Sequence, residues 1–68
     1  MIKAIIIEDE KPAAANLLKK ITQADNSVVV EAMLCTIEES VQWLSSHSLP
    51  ELIFLDVHLS DGLSFNIF

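Results

Sequence analysis

Three short apolar runs alternate with two segments of helical periodicity, and this alternation limits the folds open to the chain. The apolar runs are residues 2–7, 28–34 and 52–57, and residues 11–24 and 37–46 lie between them. Runs that are apolar on nearly every residue are typical of strands buried on both faces, as in parallel sheets covered by helices. The order β-α-β-α-β with short connections therefore predicts an α/β fold with right-handed crossovers and a parallel sheet.

The first helical segment carries signals for its start and for its buried face. Asp9 or Glu10 can cap it, and Pro12 fits its first turn. Its apolar face is predicted to consist of Ala14, Leu17, Leu18 and Ile21.

The second helical segment opens with Thr36 and, three residues later, Glu39, which has the form of a capping box. Its apolar face is predicted to consist of Ile37, Val41 and Leu44. After the third run, Ser60-Asp61-Gly62 indicates a turn, and residues 63–68 are predicted to begin a third helix. Because that segment has no stop signal or polar tail, we expect the chain to be the front part of a longer domain.

Composition narrows the functional classes. The 68 residues include ten acids and four bases, for a net charge of −6, which argues against nucleic-acid binding and favours cations or basic partners. The single cysteine, Cys35, excludes an intrachain disulfide and is typical of a reducing compartment. No apolar run approaches the length of a membrane span, and no signal peptide precedes the first strand. We therefore expect a cytoplasmic protein.

Carboxylates follow two of the predicted strands. Glu8, Asp9 and Glu10 end the first apolar run, and Asp56 interrupts the third. If strand one is central, Glu8, Asp9 and Asp56 converge at the carboxyl edge of the sheet, where open α/β sheets bind ligands. Acids at a helix N-terminus and a strand-end cap are the simpler interpretations of these residues. Their joint occurrence favours a cation site.

The residue types indicate which cation and which chemistry such a site would support. Clustered carboxylates repel one another and need a cation or a raised pKa. Oxygen ligands without cysteine or paired histidines favour Mg²⁺, which pairs with phosphate. An aspartate beside Mg²⁺ can attack a phosphoryl group and form an acyl phosphate, which makes Asp56 a candidate nucleophile.

These motifs resemble the front half of a response-regulator receiver domain of two-component signalling. The resemblance covers essentially all 68 residues and rests on the runs Ile5-Ile6-Ile7-Glu8-Asp9-Glu10 and Leu52-Ile53-Phe54-Leu55-Asp56-Val57-His58-Leu59-Ser60-Asp61-Gly62. It implies a flavodoxin-like doubly wound sheet, cut to β-α-β-α-β plus the start of a third helix. It also implies that Asp56 is the phosphoacceptor, with Mg²⁺ held by Glu8, Asp9, Asp56 and the backbone carbonyl of His58.

The same resemblance implies partners and a biological role. The phosphoryl donor would be a sensor histidine kinase, and the chain would act as a signalling switch rather than as an enzyme. The residue sequences around Lys11-Pro12 and Ser60-Asp61-Gly62 are similar to those of receivers that precede a LytTR-type DNA-binding domain. DNA would then be contacted only through a C-terminal domain that these residues do not include, with transcription as the regulated output.

The chain departs from the family pattern in several places. The family has five βα units, and these residues supply about two and a half. The Ser or Thr of the fourth strand and the Lys of the fifth, which stabilise and read the phosphorylated form, have no counterpart here. Ser60 stands where many members have Pro, and Glu8 replaces the commoner Asp.

Two alternatives come from other functional classes. A Mg²⁺-dependent phosphohydrolase with an aspartyl nucleophile needs a second acid two residues after the first, and His58 occupies that position. A non-catalytic interaction fragment would use the same fold without phosphoryl chemistry. Because the third strand lacks a neighbour on its far side, we also expect self-association through an exposed sheet edge.

Overall fold

The computed structural model describes residues 1–56 and 58–68. In these ranges the chain forms five strands, two α-helices and a closing 3₁₀ helix. Their bounds are β1 Ile2–Ile7, α1 Lys11–Ala24, β2 Val28–Leu34, α2 Ile37–Ser46, β3 Leu52–Leu55, β4 His58–Leu59, β5 Gly62–Leu63 and the 3₁₀ helix Ser64–Ile67.

The main sheet is parallel and has the strand order β2-β1-β3. β1 is central, and its residues from Ala4 to Ile7 are completely buried. Ile5 and Ile7 pack on the α2 side, whereas Ile6 packs against α1. The predicted α/β class and the parallel sheet are confirmed. Strand one is central, which is the condition under which the carboxylates were expected to converge.

The α1 helix covers one face of the sheet through the predicted apolar positions. Ala14 and Ile21 are buried against Ile6, and Leu17 and Leu18 are half-buried beside them. The predicted side-chain cap is wrong in its detail. Glu10 occupies the N-cap position, but its side chain makes no capping hydrogen bond.

The α2 helix covers the other face and begins at the predicted cap. The Glu39 N–H donates to Thr36 Oγ1 at 3.1 Å, and the Glu39 carboxylate accepts from the Cys35 N–H at 3.3 Å. The predicted apolar face is wrong at Val41, which is 41% exposed. Ser40 takes the buried position, because its hydroxyl donates to the Thr36 carbonyl and leaves no unpaired polar group. The remaining contacts to the core come from Ile37, Trp43 and Leu44.

A register shift in β2 lets both sheet faces receive apolar side chains from that strand. Ala4 pairs with Val30, and the next residue, Ile5, pairs with Ala32, so Glu31 is the extra residue of a bulge. Val30 therefore packs on the α1 side, whereas Ala32 packs on the α2 side. Bulges of this kind bend a strand and redirect the side chains that follow.

After the main sheet, the chain forms an antiparallel hairpin of β4 and β5. The predicted turn at Ser60 and Asp61 is present, but the prediction of a third helix from residue 63 is wrong. Leu63 belongs to β5, and the helix after it is a four-residue 3₁₀ helix. Leu59 is 7% exposed and joins the core beside Ile7, which accounts for the hairpin's position on the α2 side.

β3 has one partner in the described part of the sheet, namely β1. Leu52 and Leu55 are each 40% exposed along it. The strand is predicted to run to Val57, but it ends at Leu55, and Asp56 lies beyond it. Val57 itself lies outside the described residues. Among the described helices, none combines the length and the apolar character that crossing a membrane requires.

Candidate metal site

The carboxylates that follow β1 and β3 lie next to each other because the two strands are in register. Ile7 is opposite Leu55, so the residues that follow, Glu8 and Asp56, leave the sheet at the same level. The Asp56 N–H donates to the Ile7 carbonyl at 2.9 Å, and the Glu8 N–H donates to the Leu34 carbonyl at 2.9 Å. Backbone hydrogen bonds to the neighbouring strands therefore fix the starting points of both side chains.

Glu8, Asp9 and Asp56 form a cluster at this edge. Each offers one carboxylate oxygen, and these oxygens all lie within 4.8 Å of one another. All three residues are partly buried. The predicted convergence of these acids is thus what the structure shows, and it follows from the strand order that places β1 between β2 and β3.

The neighbouring carboxylates affect the pKa of Glu8. Partial burial raises the pKa of the Glu8 carboxyl above its ordinary value, and a hydrogen bond to the Asp56 carboxyl raises it further. The negative charges of Asp56 and Asp9 act in the same direction, whereas the Glu10 N–H, which donates to Glu8 Oε1 at 3.4 Å, lowers the pKa. A proton or a cation at Glu8 would therefore relieve repulsion within the cluster.

The donor set fits a hard divalent cation. All three groups offer oxygen, and these oxygens lie within 4.8 Å of one another. Two ligands on opposite sides of one ion at about 2.1 Å are about 4.2 Å apart, so a side-chain movement of less than about 1 Å is enough for the three oxygens to share an ion. Three carboxylates this close also repel one another, and a bound cation would offset that repulsion. Mg²⁺ binds through few protein carboxylates and keeps several waters, which suits a partly exposed site at a sheet edge.

A shallow pocket adjoins the cluster on the α1 side. It has a volume of about 260 Å³ and combines the carboxylates of Glu8 and Asp56 with an apolar wall from Ile7, Leu17, Phe54 and Leu55.

The fourth predicted ligand is the backbone carbonyl of His58. His58 is the first residue of β4 and pairs with Leu63. It follows Asp56 by two positions, so the hairpin sets where its carbonyl lies. Ligation by that carbonyl stays a prediction.

One residue at this edge was missed by sequence reasoning, namely Asp61. Its carboxylate accepts hydrogen bonds from two N–H groups at the start of α2, from Ile37 at 2.8 Å and from Glu38 at 3.2 Å. These bonds lower the pKa of the Asp61 carboxyl. The sequence signalled a turn at Ser60-Asp61-Gly62 but held no signal for a contact 24 residues back along the chain.

Comparison of the chain with protein-family models, with curated proteins and with solved structures found no match. The fold class and the carboxylate cluster are therefore the findings on which a functional proposal can rest.

Proposed function

We propose that the chain is the N-terminal part of a response-regulator receiver domain and that Asp56 is its phosphoacceptor. The observation that carries the proposal is the convergence of Glu8, Asp9 and Asp56 at the carboxyl edge of a parallel sheet. The β2-β1-β3 order agrees with the first three strands of a flavodoxin-like sheet, whose order is 2-1-3-4-5. Ligands in such sheets bind at the β1/β3 switch point, where Asp56 lies.

In the proposed reaction, a carboxylate oxygen of Asp56 attacks the phosphorus of a phosphohistidine on a sensor kinase. The new bond is an acyl phosphate, and the bond that breaks is the P–N bond, whose electron pair stays with the imidazole nitrogen. Bound Mg²⁺ would supply charge neutralisation between the carboxylates and the phosphoryl oxygens. Glu8 and Asp9 would hold the ion, with the His58 carbonyl as a further ligand.

The role beyond phosphorylation follows from the resemblance to receivers of the LytTR type. Phosphorylation of Asp56 would bias a conformational switch and thereby control a DNA-binding domain that lies outside these 68 residues. The excess of acids, with a net charge of −6, supports a division in which this part of the protein does not contact DNA.

A phosphohydrolase remains the alternative that shares the nucleophile. Such an enzyme needs a general acid two residues after Asp56, and His58 is not a carboxylic acid. The remaining acids in the described part of the site, Glu8 and Asp9, follow the neighbouring strand β1. The residue pattern therefore favours a stable acyl phosphate over turnover.

The test is phosphorylation of the 68-residue chain with acetyl phosphate and Mg²⁺. Intact-mass spectrometry should show one added phosphoryl group, and borohydride reduction followed by peptide mapping should locate it at Asp56. The Asp56→Asn variant should remain unlabelled, whereas Asp25→Asn, which removes the same charge at the end of α1, should be labelled like the wild type.

Each result distinguishes among the candidate functions. Label at Asp56 that depends on Mg²⁺ supports the receiver site. Release of phosphate from many phosphate esters without accumulated label favours the hydrolase. No label together with no Mg²⁺ binding overturns the proposal and leaves the interaction fragment.

Self-association through β3 is the proposed contact between copies of the chain. Leu52 and Leu55 are each 40% exposed on a strand whose described neighbour is β1 alone. An exposed apolar edge can pair with the edge of another chain. Light scattering at increasing concentration should show association in the wild type and less in Leu52→Lys. A monomer at all concentrations would contradict this proposal.

A further inference from the structure

Asp61 joins the β4–β5 hairpin to the start of α2. Its two carboxylate oxygens accept from different N–H groups, Oδ1 from Ile37 and Oδ2 from Glu38. The first N–H groups of a helix have no partner within the helix and need one from outside. A residue of the hairpin here supplies that partner for two of them.

Two further contacts hold the hairpin on the same side of the sheet. Leu59 is 7% exposed and packs in the core beside Ile7. Gly62 has a φ of +142°, and a Cβ at this position would lie 3.0 Å from Ile37 Cδ1. The positive φ favours glycine at position 62, and the approach to Ile37 Cδ1 places the hairpin directly against the first residue of α2.

The cap from Asp61 is distinct from the local cap of the same helix. Thr36 accepts from the Glu39 N–H through its hydroxyl and from the Ser40 N–H through its carbonyl. Asp61 accepts from the two preceding N–H groups. The two caps therefore bind different N–H groups of α2. Of these two caps, the one from Asp61 connects the helix to the segment after β3, whereas the one from Thr36 is local to the helix.

We propose that Asp61 is a positioning residue for the metal site. By tying the hairpin to α2, it restrains β4, whose first residue His58 follows Asp56 by two positions, and so keeps Asp56 and the His58 carbonyl close to Glu8 and Asp9. This inference rests on the proposed function, because it assigns Asp61 a task at the same site. Asp61 itself contacts no ligand and acts through the hairpin.

The main test is Mg²⁺ binding by the full 68-residue chain, measured by isothermal titration calorimetry. Asp61→Ala should weaken binding by about tenfold, the lower end of the effect of losing a residue that supports metal ligands. Asp61→Asn retains one acceptor oxygen and should restore part of the affinity. Thr36→Ala weakens the same helix end without cutting the connection, and Asp25→Asn removes the same charge elsewhere. Both controls should bind like the wild type.

A metal-free measurement separates this inference from the proposed function. The Asp56 N–H donates to the Ile7 carbonyl, and the Glu8 N–H donates to the Leu34 carbonyl. Amide hydrogen exchange should become faster at Asp56 in Asp61→Ala and stay unchanged at Glu8. Thr36→Ala should leave both amides as they are in the wild type.

Two results overturn the inference. One is equal loss of Mg²⁺ affinity in Asp61→Ala and Thr36→Ala, which would make Asp61 a helix cap and nothing more. The other is unchanged exchange at Asp56 in Asp61→Ala. If the wild type binds no Mg²⁺, the proposed metal site fails, and the exchange experiment alone decides whether Asp61 positions Asp56.

Discussion

Removing the charge of Glu8 should stabilise the folded chain. The carboxylate oxygens of the cluster lie within 4.8 Å of one another. Two unit charges at that distance repel by about 0.9 kcal/mol in a water-like dielectric, and screening at roughly physiological salt reduces this to about 0.5 kcal/mol. Glu8→Gln removes two such repulsions, those with Asp9 and Asp56. We therefore expect an increase of about 1 kcal/mol in the free energy of unfolding at neutral pH.

The assay is urea unfolding followed by the fluorescence of Trp43, which packs against the core. The increase in the free energy of unfolding caused by Glu8→Gln should be smaller in about 1 M salt, because the Debye length there is near 3 Å and the repulsion is screened. In Mg²⁺ at about ten times its dissociation constant, the wild type should gain about 1.4 kcal/mol. Glu8→Gln should gain less, because it has lost one ligand; with an affinity about tenfold weaker its gain is about 0.4 kcal/mol, so Mg²⁺ should remove the difference in stability between the two proteins.

The pH dependence follows from the direction of the Glu8 pKa. Because the pKa is raised in the folded chain, the folded state binds a proton at Glu8 more tightly than the unfolded state does. Stability is therefore lost as the pH rises from the ordinary value of 4.5 through the raised value. Below that window the wild type and Glu8→Gln should differ little, and above it the full difference should be present.

The matched control is Glu31→Gln, which makes the same chemical change at the exposed bulge of β2. It should alter stability by less than Glu8→Gln and should not change the response to Mg²⁺. The reasoning is refuted if Glu8→Gln is no more stable than the wild type at low salt, or if Glu31→Gln shows the same gain.

Three further substitutions or conditions test the hairpin and its surroundings. Asp61 should have the opposite pH dependence to Glu8, because hydrogen bonds from the Ile37 and Glu38 N–H groups lower its pKa. Its contribution to folding stability is present above the ordinary pKa of 3.8 and is lost as the pH falls through the lowered value. Acid unfolding of the wild type and of Asp61→Asn should show this difference. Gly62→Ala should lower the free energy of unfolding by about 2 kcal/mol in urea titrations, because a φ of +142° strains any side chain and the new Cβ would meet Ile37. Ser64→Ala should raise the free energy of unfolding by about 1 kcal/mol, because the buried Ser64 hydroxyl has no hydrogen-bond partner among the described residues. Thermal unfolding should show this gain as a higher midpoint. Ser40→Ala should show no such gain, because the Ser40 hydroxyl donates at 2.7 Å.

Sequence reasoning located the strands because their signal is local and strong. The apolar runs predicted β1 and β2 with the observed bounds. Pro12, together with the apolar residues spaced at the period of a helix, predicted α1. The convergence of Glu8 and Asp56 could be predicted once strand one was taken as central, since parallel strands end at the same edge. These inferences need only the order of the elements and the period of a strand or helix.

The errors occurred where a particular hydrogen bond or strand pairing, rather than the periodicity of the residues, decides the local structure. Val41 fits an apolar stripe, but Ser40 is buried because its hydroxyl finds a partner one turn back in the same helix. Residues 63–68 have helical composition, but Leu63 pairs with His58 in the hairpin. The bulge at Glu31 likewise depends on which faces α1 and α2 occupy, which the sequence of β2 alone cannot specify.

The two sides of the carboxylate cluster differ in how firmly the fold holds them. Glu8 and Asp9 follow the central strand, which is buried from Ala4 to Ile7 and paired on both edges. Asp56 follows a four-residue strand with a single described neighbour. Regions with fewer buried contacts open at lower free energy, so Asp56 should be the more easily displaced partner. In the role proposed for Asp61, its carboxylate acts on Asp56 from the β4–β5 hairpin, by accepting from the Ile37 and Glu38 N–H groups at the start of α2 and without touching the cluster.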